Sequence, residues 1–168
     1  MFNKIEKLSE TEFAEVFSNI FENASWIAQI LYRKKPFENF QDLSKKMISI
    51  FEDSDEKSKL EIIQSHPDLA NKTKIGTLTT ESNEEQKGAG LDQCTEIEYL
   101  EFKNLNSKYK NKFGFPFILA VRGKNKFEIL TNFKKRILSS KNNEFNEAIK
   151  QVKQIANLRL DEVKNKFI

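Results

Sequence analysis

The placement of glycine and proline is the feature that most constrains how this chain can fold. All five glycines lie between Gly76 and Gly123, and two of the three prolines, Pro67 and Pro116, lie in or beside the same region. Both residue types interrupt regular helices. The two ends of the chain therefore predict long uninterrupted helices, and the middle of the chain is expected to carry the irregular backbone.

Apolar residues repeat at helical spacing over most of the chain. Ser9 and Glu12 have capping-box spacing, and from Phe13 onward apolar residues recur at i, i+3, i+4, i+7 and i+8. No strand-like alternation, internal repeat or linker is evident in the sequence. We expect an all-α fold, a single compact multi-helix domain over residues 1–168 with roughly seven to nine helices. Further helical patterns centre on residues 26–31, 43–51, 60–63, 97–109 and 143–166.

The basic residues do not have the pattern of a nucleic-acid binder. The net charge is only +3, and just four of the 28 basic residues are Arg. Nucleic-acid binders tend to show a basic stripe with Arg forks, whereas here Lys is interleaved with Glu. We therefore expect no nucleic-acid partner and interpret the charges as a solvated surface.

Several other classes of protein are excluded because the sequence lacks the signals that mark them. The longest nearly unbroken apolar run, residues 115–121, is far too short to cross a membrane. The N-terminus has no signal-peptide core, and the C-terminus is not a peroxisomal address. A single Cys and a single His exclude an intrachain disulfide and an ordinary zinc site. We expect a cytoplasmic protein with no membrane contact and no metal.

His66 is the first candidate for chemistry. Pro67 disfavours helix at the residue before it, so His66 is expected where a helix ends, near a partial negative charge that favours an imidazolium. Histidine is also the side chain best suited to proton transfer near neutral pH. The local sequence alone favours a simpler role, a histidine that caps a helix end. Since the chain has no second histidine, Cys94 is expected to be a passive buried thiol.

The segment Ser82–Gln86 is the second candidate. Ser82 and Glu85 have capping-box spacing, which predicts a helix start there. A helix start also offers N–H groups to an anion, and Glu85 and Gln86 would add an acid/base group and an amide. The structural and the functional interpretation stay equally open at this point.

The third candidate is the apolar segment 113–121. It is too short and too interrupted for a helix, yet too apolar for a surface loop. One interpretation is a buried connector. Because buried backbone must still find hydrogen-bond partners, the other interpretation is a segment whose amides face a cavity and bind a polar ligand.

Arg159 is the fourth candidate, since it falls inside the apolar stripe of the last helical pattern. A buried guanidinium is costly unless it is paired. The partner is either a carboxylate within the protein or a substrate carboxylate or amide oxygen. The scarcity of Arg in this chain favours the functional alternative.

Taken together, the motifs of this chain resemble those of OHCU decarboxylase, the 2-oxo-4-hydroxy-4-carboxy-5-ureidoimidazoline decarboxylase of uric acid breakdown. The resemblance covers nearly the whole chain. One departure is Asn71, where the family often has Gly; it concerns a turn and not the chemistry. The motifs appear in this order: His66-Pro67-Asp68-Leu69-Ala70, Gly76-Thr77-Leu78-Thr79, Ser82-x-x-Glu85-Gln86, Ala89-Gly90-Leu91, Leu105-Asn106-x-x-Tyr109, Phe113-Gly114-Phe115-Pro116-Phe117 and Ile155-Ala156-x-x-Arg159-Leu160.

The resemblance implies an all-helical decarboxylase without a cofactor, commonly a homodimer. Such an enzyme converts OHCU to (S)-allantoin and CO₂, the third step from urate to allantoin. His66 and Glu85 would be catalytic, and the absence of a peroxisomal tail suits a cytoplasmic enzyme of bacterial type. The substrate would be bound by Pro67, Ser82, Asn83, Glu84, Glu85, Gln86, Phe117, Ile118, Leu119, Ala120, Val121 and Arg159.

These roles give a specific mechanistic hypothesis. His66, paired with Glu85, would handle the proton of the substrate's hydroxyl or ring nitrogen. Backbone amides of 117–121 and the Gln86 amide would bind the ureido and ring oxygens. Protonation from one face would set the S configuration.

Two alternatives compete with this interpretation. A non-catalytic helical interaction module on the same scaffold would be expected to lose His66, Glu85 and Gln86, and all three are present. A decarboxylase of a related ureido-imidazoline is the nearest competitor among enzymes.

Overall fold

The computed structural model describes residues 2–71 and 78–167, and over these ranges the chain forms nine helices and no strand. The all-α prediction is confirmed, with a helix number at the upper end of the expected range. Gly76 and Thr77, which belong to one of the motifs, lie outside the described residues. The helices are α1 (Asn3–Glu6), α2 (Glu10–Phe17), α3 (Ser25–Tyr32), α4 (Phe40–Glu52), α5 (Glu56–Ser65), α6 (Thr80–Gly88), α7 (Glu96–Phe113), α8 (Lys126–Arg136) and α9 (Lys141–Phe167).

The first of two compact units comprises residues Met1–Ser65 and Lys153–Ile168. Its helix α2 begins as expected, because Ser9 and Glu12 form a complete capping box. Helix α2 packs on α3, and α3 packs on α4. The aromatic rings in its core include Phe13 and Phe17, whose centroids are 4.4 Å apart.

The second unit comprises His66–Val152 and therefore includes the N-terminal part of α9. Helix α7 ends at Phe113 and is followed by Gly114, whose φ of 81° places it in the left-handed region that favours glycine. The chain then runs through the buried, non-helical residues 115–121. Phe117 stacks on Phe133 of α8 with ring centroids 3.9 Å apart, so this segment lies in the core of its unit.

Helix α6 begins earlier than predicted. The residue that caps it is Thr79, whose hydroxyl accepts a hydrogen bond from the backbone N–H of Ser82 at 3.3 Å. The capping role predicted for Ser82 is therefore wrong. A helix that begins at Thr80 places Ser82 and Gln86 one turn apart on the same face, and both are buried there.

Helix α9 matches the predicted length, but its buried face is rotated from the predicted stripe. Phe145, Ile149 and Val163 are only half-buried. Arg159 is 2% exposed, which confirms that it lies on the buried face. The buried residues of α9 are Glu144, Ala148, Gln151, Val152, Ile155, Ala156, Arg159 and Leu160.

Helix α7 is also where the pattern predicts it, although Ile97 and Leu100, part of that pattern, are exposed. In the described ranges none of the nine helices combines the length and the hydrophobicity of a membrane span.

Candidate active site

His66 directly follows the last residue of α5, Ser65, so the predicted helix end before Pro67 is confirmed. The His66 side chain is buried, with 9% of its surface exposed. His66 is the first residue of an irregular loop that comprises residues 66–71. A buried imidazole on a loop is an arrangement typical of a proton-transfer group whose position is set by the loop backbone.

Two side chains fix the backbone of this loop directly after His66. The amide of Gln86 accepts a hydrogen bond from the N–H of Ala70 at 3.0 Å and donates to the carbonyl of Asp68 at 3.2 Å. The Nδ2 atom of Asn106 donates to the carbonyl of Leu69 at 2.9 Å. Three successive residues of the loop are thus tied to α6 and α7.

The same loop has a further anchor and one strained residue. Lys110 of α7 forms an ion pair with the Asp68 carboxylate, at 2.8 Å. Ala70 has a φ of 52°, in the left-handed region that a residue with a Cβ adopts only at a cost. The hydrogen bond that the N–H of Ala70 donates to Gln86 holds this conformation in place. The loop is therefore stabilised by long-range contacts and not by its own propensity.

The predicted site residues of α6 lie on different faces of the helix. Ser82 and Gln86 are buried, Asn83 and Glu85 are half-buried, and Glu84 is exposed. Gln86 uses both atoms of its amide on the His66 loop, which gives it a positioning role that sequence reasoning missed. Its predicted contact with substrate, like the pairing of Glu85 with His66, stays a prediction.

The segment from Phe117 to Val121 is buried at all five residues, as a buried connector or a ligand-binding segment would be. Its carbonyl at Ile118 accepts a hydrogen bond from Nη1 of Arg136 at 2.6 Å. Its N–H at Ala120 donates to Oε1 of Gln151 at 2.9 Å. Side chains of α8 and α9 therefore replace the partners that a helix or sheet would supply.

Arg136 is itself part of a network. Its Nε and Nη2 atoms donate to the carboxylate of Glu144, at 2.9–3.3 Å, and its guanidinium carbon lies 4.5 Å from the centre of the Phe117 ring. The hydroxyl of Tyr109 donates to the same carboxylate. Burial, and then the bond to Glu144, raise the pKa of Tyr109 well above its usual range, so the phenol keeps its proton.

Sequence reasoning missed this network, although one signal was available. Arg136 is one of only four arginines, and scarcity was the argument applied to Arg159. Glu144 and Gln151 gave no signal, because they lie off the apolar stripe from which the buried face of α9 was predicted.

Arg159 has a carboxylate partner within its own unit. Its Nη1 atom donates to Oε2 of Glu22 at 3.0 Å and to the carbonyl of Asn19 at 2.8 Å. Both charged side chains are almost completely buried, at 1% and 4% exposure. A carboxylate partner within the protein, the structural alternative for Arg159, is thus observed. The predicted contact of Arg159 with substrate stays a prediction.

Cys94 is held as a thiol. Burial, followed by the nearby charge of Glu98, raises its pKa, which disfavours the nucleophilic thiolate. Its Sγ atom lies 3.5 Å from the carbonyl of Leu91. Over the described part of the chain, no group of three or more His, Cys, Asp or Glu side chains is placed to hold a metal ion.

Comparison with known proteins agrees with the motifs. A family model described as OHCU decarboxylase matches residues 6–161. The 2-oxo-4-hydroxy-4-carboxy-5-ureidoimidazoline decarboxylase of Halalkalicoccus jeotgali is 35% identical over 162 residues, which cover 95% of this chain and 90% of that protein. The uric acid degradation bifunctional protein of Bacillus sp. (strain TB-90) is 41% identical over 160 residues, 95% of this chain, and the chain spans only 31% of its length.

A solved structure has the same fold. The crystal structure of (S)-allantoin synthase matches with a TM-score of 0.77 and 28% identity, and the match covers 97% of this chain and 53% of that chain. The resemblance inferred from the motifs is therefore confirmed, and this chain belongs to the OHCU decarboxylase family.

Proposed function

We propose that this chain catalyses the decarboxylation of OHCU to (S)-allantoin and CO₂ without a cofactor. The observation that carries the proposal is the buried His66 on a loop in which Gln86 and Asn106 hold the backbone of Asp68, Leu69 and Ala70. A proton donor fixed in this way can act on one face of a bound ring. Membership of the family supplies the substrate.

The substrate brings the electron sink that this reaction needs. When CO₂ leaves, the electron pair of the broken C–C bond forms a C=C bond, and the π pair of the neighbouring C=N bond moves to the ring nitrogen, which takes a proton. Loss of the hydroxyl proton and protonation of the carbon that bears the ureido group then give allantoin. The protein has to orient the ring, stabilise the developing charge and deliver the protons.

We assign these tasks to residues of the second unit. His66 is the acid/base, with Glu85 as its partner. Backbone amides of Phe117–Val121 bind the ring and ureido oxygens, and Pro67 with Ser82–Gln86 line the site. Delivery of the last proton from one side sets the S configuration.

The assembly and location are part of the same proposal. We propose a cytoplasmic homodimer in which residues 1–168 act as one domain. Ile97 and Phe127 are large apolar residues, 80% and 77% exposed, of the kind that protein interfaces bury. Light scattering after gel filtration is expected to give twice the mass of 19.7 kDa, and thermal unfolding a single transition. A monomeric mass would contradict the homodimer.

The activity is tested by circular dichroism on OHCU freshly generated from urate with urate oxidase and hydroxyisourate hydrolase. We expect a rapid rise of the (S)-allantoin signal, abolished in His66→Ala and in the more conservative His66→Asn. Far-UV spectra must show that both variants fold. Slow decay to racemic allantoin at the rate of the blank would instead favour the non-catalytic interaction module.

A further inference from the structure

Two side chains of helix α7 hold the loop that begins at His66. The Nδ2 atom of Asn106 donates a hydrogen bond to the carbonyl of Leu69 at 2.9 Å. One turn further along α7, the ammonium group of Lys110 lies 2.8 Å from the carboxylate of Asp68. Residues four positions apart lie on the same face of a helix. One face of α7 therefore fixes both the backbone of Leu69 and the side chain of Asp68.

The helix that carries these two side chains is a rigid support. Helix α7 is 18 residues long, begins with a complete capping box at Thr95 and is followed by the left-handed Gly114. Its residues Phe102 and Tyr109 are completely buried. Side chains on a capped and packed helix are held more precisely than side chains on a loop. The position of the loop is therefore set by α7.

Only Pro67 separates His66 from the anchored residues. The proline ring fixes the φ of Pro67 near about −65°. Steric contact with the same ring restricts the backbone of the residue before it, which is His66. Because both residues have few backbone conformations, a displacement of Asp68 is passed on to the imidazole of His66 and is not absorbed between them.

The conformation that α7 holds has two costs to stability. The Oδ1 atom of Asn106 is buried and, within the part of the chain that the structure describes, has no hydrogen-bond partner. Ala70, the residue after Leu69, has the left-handed φ of 52°. A buried acceptor without a partner and a left-handed alanine each lower the free energy of unfolding. Stability alone does not account for contacts that bring both costs to one loop, and this favours a role in the reaction.

We propose that Asn106 and Lys110 are positioning residues that set the direction of the His66 imidazole toward the reacting ring. They act through Leu69 and Asp68, and not by contact with substrate. This inference rests on the proposed function, in which His66 delivers protons to OHCU. Because proton transfer depends steeply on distance and angle, loss of either contact is expected to lower kcat and to leave KM nearly unchanged.

The first test compares Asn106→Leu with Asn104→Leu, a control at an exposed residue of the same helix. Leucine has the branched shape of asparagine but no donor, so the carbonyl of Leu69 is released. We expect kcat of Asn106→Leu to be about tenfold lower and KM to stay within about twofold, while the control matches wild type. The melting temperature should change little, because removal of the unpaired Oδ1 offsets part of the lost hydrogen bond. A wild-type kcat in folded Asn106→Leu would overturn the inference.

The second test uses the ion pair, which carries little risk to the fold because the Lys110 side chain is 45% exposed. Lys110→Met should lower kcat about threefold, the scale of a partly exposed ion pair, and Lys110→Arg should keep wild-type kcat. A rise in NaCl from about 0.05 M to about 0.5 M should lower kcat of wild type toward that of Lys110→Met, because salt screens the pair. Lys108→Met, at another exposed lysine of α7, is the control. An equal salt response of kcat in wild type and Lys110→Met would contradict the role of the pair.

A direct readout of the imidazole keeps the two proposals distinguishable. His66 is the only histidine of the chain, so its ring gives one set of imidazole resonances in an NMR spectrum. We expect these resonances to shift or broaden in Asn106→Leu and Lys110→Met and to stay in place in both controls. If wild type turns over OHCU but the resonances or kcat of both variants stay at their wild-type values, this inference fails alone. If wild type does not turn over OHCU, the proposed function fails and takes the inference with it.

Discussion

The side-chain amide of Gln86 accepts a hydrogen bond from the backbone N–H of Ala70 at 3.0 Å, which ties helix α6 to the loop that carries His66. Ala70 is left-handed, with a φ of 52°, and Gln86 is 2% exposed. A buried amide therefore holds a strained residue four positions after the proposed catalytic histidine. Helix α6, which carries Glu85, is therefore joined directly to the loop that carries His66.

Loss of this amide should affect stability and turnover together. In Gln86→Met the N–H of Ala70 loses its partner, which is expected to cost about 1–3 kcal/mol of unfolding free energy. Because the loop loosens around His66, we expect kcat to fall at least about tenfold. Urea unfolding and the circular dichroism assay measure the two effects. Lys87→Met, at the exposed neighbour on α6, is the matched control, and wild-type kcat in folded Gln86→Met would refute the positioning role.

The buried pair of Arg159 and Glu22 should show strong coupling. Arg159→Met leaves a buried carboxylate without its cation, which is expected to cost about 3–5 kcal/mol of unfolding free energy. The double variant Arg159→Met with Glu22→Leu removes both charges, and we expect it to regain a large part of that loss. Chemical denaturation of wild type, Arg159→Met, Glu22→Leu and the double variant completes this double-mutant cycle.

The activity of the double variant tests the other prediction for Arg159, that it contacts substrate. If Arg159 also binds substrate, the double variant should be stable and yet show a raised KM for OHCU. Stability and KM that both return to wild-type values would limit Arg159 to its structural role.

Cys94 should react slowly with alkylating reagents. Because burial raises its pKa, the thiolate fraction at pH 7.5 is smaller than that of an ordinary thiol. Mass spectrometry of the iodoacetamide adduct over pH 7–10 is expected to show slower labelling than glutathione at every pH below the raised pKa. Cys94→Ser should keep full turnover of OHCU, and loss of turnover would contradict a passive thiol.

The ion pair between Glu98 of α7 and Lys126 of α8 should contribute to stability only above acidic pH. The hydrogen bond from Lys126, at 2.8 Å, and the capping bond from Thr95 hold the pKa of Glu98 below its ordinary value of 4.5. A lowered pKa in the folded state gives stability that is present above the ordinary value and is lost as the pH falls through the lowered one. Glu98→Gln, which keeps capping ability, isolates this charge.

The measurement is the difference in melting temperature between wild type and Glu98→Gln at pH 7 and at pH 3. We expect wild type to be the more stable protein at pH 7 and the difference to shrink at pH 3. An equal difference at both values would show that the charge of Glu98 has no part in stability.

Much of the fold could be predicted from the sequence because helices are specified locally. The capping box at Ser9 and the helix end before Pro67 involve residues only a few positions apart. The burial of Arg159 could likewise be predicted from the spacing of apolar residues along a single helix. The His66, Ser-Glu-Gln and Phe-Gly-Phe-Pro-Phe motifs, in one register, were sufficient to identify the family.

Only the tertiary structure decided which atoms those residues meet. Glu22 pairs with Arg159 across 137 positions of sequence, and no local pattern marks such a partner. Thr79, and not Ser82, caps α6, and Ser82 is instead buried with Gln86 on one face of that helix. The sequence by itself thus determined the helices, the family and the candidate residues, through short-range periodicity and capping. The contacts of Gln86 and Arg136 were decided by packing, because a buried polar group is stabilised by whichever distant partner the folded chain brings within hydrogen-bond distance.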